Sequence, residues 1–258
     1  MEQDQLLRRN QPLSTGEPAD VALLIAAHGE KQPGAGNEGV QRIARLLAAR
    51  AIVPEVAVGF INGAPGIAEA LRTLTARRVL VYPLFAANGY FTRDRLVQLI
   101  EEASTPERSV EMLPPLGLDA GLPGLIVDRV NETAHENGLA GANCAIVLLA
   151  HGSRRNPASR EATEAVAQAI AGRGVFREVR TAFLEEAPPL EEAVREASDP
   201  VVVMGMFSGE GLHGARDAPH LIARLGRGDV FYAGVIGSSP GIEEVVARSV
   251  FEALAGNG

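Results

Sequence analysis

The strongest constraint on this 258-residue chain is that its second half repeats its first. AAHGE at Ala26 answers LAHGS at Leu149, and VGFINGAPGIAEAL at Val58 answers TAFLEEAPPLEEAV at Thr181. Further on, VLVYPLFAANGYFTRD at Val79 answers VVVMGMFSGEGLHGARD at Val201. The register is steady: His28 to His151 and Asn62 to Glu185 each span 123 residues, and Gly89 to Gly211 spans 122. A period of that length is too long for a solenoid and points to a doubled folding unit. The seam is expected in ENGLAGAN, around Asn137 to Asn143, where glycine and asparagine end a helical stretch.

Within each half, short β-branched runs alternate with longer amphipathic stretches, the pattern of βαβ units in a parallel sheet. Eight runs can be counted, starting at Val21, Glu55, Arg78, Ser109, Cys144, Glu178, Pro200 and Asp229, four to each half. Between them, segments such as EGVQRIARLLAAR and REATEAVAQAIAG carry apolar residues at helical three- and four-residue spacing. The expected organisation is a mobile N-terminal tail over 1–20 and two α/β domains, 21–138 and 143–258, each a four-stranded parallel sheet flanked by helices.

Composition narrows what such a chain does. Lys and Arg number 24 against 32 Asp and Glu, a formal charge of −8, which argues against a general nucleic-acid surface. No apolar run approaches the roughly 18 residues needed to cross a bilayer, so no membrane partner is expected. The polar start lacks the apolar core of a secretory signal. With Cys144 as the only cysteine, no internal disulfide can form, and a reducing, cytoplasmic setting fits best. Cys144 itself, at the start of a buried run, reads as a core residue.

In an open parallel sheet, ligands bind where loops leave the carboxyl ends of the strands. In the second half His151 follows one strand, Glu185 follows the next, and His213 lies six residues past a third. Two imidazoles and a carboxylate suit a divalent first-row ion such as Co²⁺, Ni²⁺, Fe²⁺ or Zn²⁺. They also suit proton removal. The first half keeps His28 but has Asn62 in place of Glu185 and Phe91 in place of His213. One half is equipped and the other dismantled.

The stretches LLAHGSRRNPAS at Leu148, AFLEEAPPLEEA at Ala182 and MFSGEGLHGARDAP at Met206 resemble the class II chelatases of tetrapyrrole biosynthesis, the sirohydrochlorin cobaltochelatase and ferrochelatase group. The resemblance spans nearly the whole chain and implies two tandem flavodoxin-like domains. It implies insertion of a divalent metal, Co²⁺, Fe²⁺ or Ni²⁺, into sirohydrochlorin or a related tetrapyrrole on the way to siroheme or cobalamin, with no nucleotide. His151, Glu185 and His213 then hold the metal and take up protons. Ser153, Arg154, Arg155, Asn156 and Arg216, with Arg160 nearby, are expected to bind the carboxylates of the macrocycle, a task suited to guanidinium groups. Single-domain members pair as dimers, so the doubled chain is expected to act as a monomer.

Other readings are weaker. Gly34, Gly36 and Gly39 form a GxGxxG string, but His28 separates it from its strand and no acid ends the next one. The strand-end His-Gly also suits a phosphotransfer nucleophile, yet Ala27 and Ala150 stand where an arginine would bind phosphate. A protein that binds a metal or tetrapyrrole without turnover is the alternative from another class. His135 and His220 read as surface residues, and Phe91 as a ring able to pack on a macrocycle face.

Overall fold

The computed structural model describes residues 20–29, 37–209 and 217–256. Most of the expected tail, and Gly34, Gly36, Gly211, His213 and Arg216, lie outside these residues. From the tail stretch only Asp20 is described, and its carboxylate accepts the Arg77 backbone N–H at 2.9 Å.

All eight apolar runs form strands: β1 (Val21–Ala27), β2 (Glu55–Phe60), β3 (Arg78–Pro83), β4 (Ser109–Met112), β5 (Ala145–Ala150), β6 (Glu178–Phe183), β7 (Val201–Gly205) and β8 (Val230–Val235). They make two parallel four-stranded sheets, ordered β2-β1-β3-β4 and β6-β5-β7-β8. β1 and β5 are interior strands buried along their whole length, which is why their sequences are continuously apolar rather than alternating.

The connecting helices are α1 (Glu38–Ala49), α2 (Ile67–Thr73), α3 (Leu96–Glu101), α4 (Leu122–Glu136), α5 (Ala158–Ala171), α6 (Leu190–Glu196), α7 (Ala218–Arg224) and α8 (Ile242–Ala255). In α1 the buried residues are Val40, Ile43, Ala44 and Leu47, a single stripe at helical spacing. Gly39, from the GxGxxG string, lies in the first turn of this helix. Cys144 is fully buried, while His135 and His220 are exposed.

The two halves share one core. Leu23, Ile25 and Tyr82 from the first sheet and Ile146, Leu148 and Met204 from the second belong to the same buried cluster, with α1, α4, α5 and α8 between them. Separate clusters line the outer faces, under α2 and α3 on one sheet and under α6 and α7 on the other. The last helix of each half crosses to its neighbour: α4 packs against α5, β7 and β8, and α8 packs against α1. Ser249 of α8 donates to the buried Asp119 at 2.6 Å, and Asp119 also accepts from Tyr82 at 3.0 Å. Burial pushes the Tyr82 phenol up, and the neighbouring Asp119 carboxylate adds to the shift. Arg78 reaches the Ala253 carbonyl at 3.0 Å, and Arg50 pairs with Glu244. Among the described residues no helix is long and apolar enough to cross a membrane.

This topology positions the site. In the second sheet α5, after β5, lies on the inner face, while α7, after β7, lies on the outer face. The chain therefore leaves two adjacent strands in opposite directions and opens a crevice at their carboxyl ends. His151 is the first residue past β5.

Candidate active site

Pairing continues beyond the regular strands. Leu184 N–H donates to the Ala150 carbonyl at 3.0 Å, and Glu185 N–H to the His151 carbonyl at 3.0 Å. That register brings the two side chains together, with His151 Nε2 3.3 Å from Glu185 Oε1. Both are substantially open, at 43% and 57% side-chain exposure. Two ligand atoms each about 2.1 Å from one tetrahedral ion are about 3.4 Å apart, so this pair is spaced to share an ion with little movement. Among the described residues no cluster of three or more His, Cys, Asp or Glu completes a metal site. His213, the expected third member, lies outside them.

The turn after His151 depends on Gly152, whose φ of +72° is a left-handed conformation that side chains disfavour. A Cβ there would lie 2.8 Å from Glu186 Cγ and 2.9 Å from Phe183 Cβ. Glu186 is the residue that sequence reasoning missed. Its carboxylate accepts the Ser153 N–H at 3.0 Å and pairs with Arg160 at 2.9 Å. Burial alone would raise this carboxyl, but the hydrogen bonds from Arg160 and Ser153 and the Arg160 charge outweigh it, leaving the group below the usual glutamate range. The signal was its position beside Glu185 at a strand end, facing a histidine-glycine turn.

The cationic loop divides by role. Arg160 is committed to the protein: it binds Glu186, Glu164 and the Ala187 carbonyl, and lies 4.4 Å over the Phe183 ring. Ser153 Oγ accepts the N–H groups of Arg155 and Asn156, each at 3.3 Å. Asn156 Oδ1 accepts the Ala158 N–H at 2.9 Å, at the start of α5. Arg154 and Arg155 are exposed, with Arg154 Nε on the Glu185 carbonyl at 3.2 Å. Together with Ser153, Glu185 and Glu186 they line a cleft of ≈ 790 Å³, within the range of small-molecule sites.

The first half carries a different set in the same place. Asn62 N–H donates to the His28 carbonyl at 2.7 Å, repeating the backbone register, and Asn62 Nδ2 lies 3.2 Å from His28 Nε2. An amide nitrogen only donates, so the facing imidazole nitrogen must accept, and its lone pair is engaged. Phe91 stands edge-on to His28 at 4.6 Å between ring centroids.

The family described as CbiX matches residues 22–133 and again 145–253. A probable sirohydrochlorin cobaltochelatase from Halobacterium salinarum is 25% identical over 91% of this chain and 92% of its own length. A sirohydrochlorin ferrochelatase from Priestia megaterium is 27% identical over 65% of this chain and 64% of its own. Among solved structures, that of CbiX, the terminal enzyme for biosynthesis of siroheme in denitrifying bacteria, superposes with a TM-score of 0.70 at 28% identity. It covers 90% of this chain and 99% of that one.

Proposed function

Because the chain belongs to the CbiX family, matched over both of its halves, we propose that it inserts a divalent metal into sirohydrochlorin or a closely related tetrapyrrole. The observation that carries this reading is the 3.3 Å approach of His151 Nε2 to Glu185 Oε1 at the carboxyl edge of the second sheet. Relatives named as cobaltochelatase and ferrochelatase support cobalt or iron as the metal. Nickel suits the same donor set.

Insertion exchanges one M²⁺ for the two pyrrole N–H protons, so the site must strip water from the ion and give the protons somewhere to go. His151 and His213 bind the incoming ion through imidazole nitrogen, Glu185 balances its charge and accepts one pyrrole proton, and an imidazole freed as the ion enters the ring accepts the other. Arg154, Arg155 and Arg216 receive the peripheral carboxylates, while Ser153 and Asn156 shape the loop that presents them. No nucleotide takes part. The chain acts in the cytoplasm as a monomer made of the repeats 21–138 and 143–258, with neither nucleic acid nor membrane as partner.

The test is insertion of Co²⁺ by His151→Ala and by Glu185→Gln. Each should lose about a hundredfold or more in kcat/KM relative to wild type, with an unchanged melting temperature. Wild-type activity in either folded variant overturns the assignment. A carrier that binds without turnover is the competing reading, favoured by the engaged lone pair of His28 in the first half. It predicts at most one equivalent of product per chain.

A further inference from the structure

The first half has lost metal ligands but has not become featureless. Phe91 and Tyr90 are among the large apolar side chains left exposed, at 41% and 59%, and they touch each other edge-on at 5.5 Å. They open a π-helical turn, Phe91–Arg95, that runs into α3 and also carries Arg93 and Arg95. Such turns are rare and concentrate at functional sites. Gly89, immediately before the pair, lies next to the other half. A Cβ on Gly89 would sit 4.0 Å from the Ala158 Cβ, at the first residue of α5 and just past the loop bearing Arg154 and Arg155.

Resting on the chelatase reading above, we propose that Tyr90 and Phe91 form the seat for a face of the tetrapyrrole while the second half delivers the metal. The differences between the halves share this one explanation. Phenylalanine at the position of His213 offers a flat apolar surface with no lone pair. Asparagine at the position of Glu185 removes the negative charge and occupies the Nε2 lone pair of His28. A metal entering the ring needs ligands on one face, whereas imidazoles on both faces would hold it in the product and slow release. The first half thus keeps a surface that attracts the ring and sheds the groups that would trap the ion.

The experiment pairs a metal-free titration of sirohydrochlorin, read by its absorbance, with steady-state Co²⁺ insertion. It uses wild type, Phe91→Ala, Phe91→Tyr and the double variant Tyr90→Ala/Phe91→Ala. Phe91→Ala is expected to weaken metal-free binding and raise KM about three- to tenfold, with kcat changed less than about twofold. Phe91→Tyr should restore both, and the double variant should exceed the single one. Because both rings are exposed, melting temperatures should stay close to wild type. Unchanged metal-free affinity and KM in the double variant overturn the proposal. If wild type binds the macrocycle but turns nothing over, the chelatase reading fails and the seat is decided by the titration alone: loss of affinity supports it, and no loss overturns it.

Discussion

His151 Nε2 and Glu185 Oε1 stand 3.3 Å apart at the end of the second sheet, and the mirrored pair in the first, His28 Nε2 and Asn62 Nδ2, stands at 3.2 Å. The backbone register behind the two pairs is the same, so the doubled fold offers two equivalent positions and the side chains alone decide what each can do. A carboxylate beside an imidazole can share a cation and accept a proton. An amide N–H directed at the imidazole lone pair consumes the ligand.

The turn at Gly152 gives a stability prediction with an internal control. Gly152 and Gly174 both have positive φ, +72° and +62°, but only Gly152 is crowded, with Glu186 and Phe183 inside 3 Å of a Cβ, while Gly174 faces open space. Gly174→Ala should cost about 1–2 kcal/mol, the ordinary penalty for a side chain in the left-handed region. Gly152→Ala should cost clearly more and also impair insertion, because His151 precedes it. Urea unfolding measures both, and equal costs would contradict the packing described.

Charge removal on the loop after His151 should act on substrate binding rather than on the chemical step. Arg154→Ala with Arg155→Ala should raise the KM for sirohydrochlorin about tenfold or more and leave kcat within a few-fold, if these exposed guanidinium groups receive the rim carboxylates as proposed. Arg160→Ala behaves differently. Its guanidinium is already bound to Glu186 and Glu164, so the variant should lose thermal stability. Unchanged KM in the double variant would refute the rim assignment.

Acid should weaken the fold in a defined window. Glu186 is held below the usual glutamate range despite its burial, and Glu55, Glu178, Glu244 and Asp229 shift in the same direction. A carboxyl whose folded pKa is depressed stabilises the fold fully above its unfolded value, about 4.3 for Glu, and that contribution is lost as pH falls through the folded value. Stability should therefore hold down to about pH 5 and fall below it. Glu186→Gln should be less stable than wild type at neutral pH, with the gap narrowing by pH 3. Urea midpoints across this range decide it, and a constant gap would contradict the account.

Local pattern carried much of this architecture. β1 and β5 are legible because buried parallel strands are continuous apolar runs, and the duplication by itself puts His151 and Glu185 at matching strand ends. The exchange of α4 and α8 between halves was not legible. An amphipathic stripe such as Val40, Ile43 and Leu47 says that a helix is covered, not which sheet covers it. Spacing places the Arg160 cation near the site but does not reveal the half-buried Glu186 that pairs with it.

Catalysis of metal insertion by this chain is read out by an anaerobic absorbance time course of sirohydrochlorin with Co²⁺ or Fe²⁺. Wild type, His213→Ala and a protein-free blank are compared at equal metal. Many turnovers per wild-type chain and the blank rate for the variant are expected. A spectral change that stops at one equivalent, or that never exceeds the blank, would contradict catalysis and leave a metal or tetrapyrrole carrier in its place.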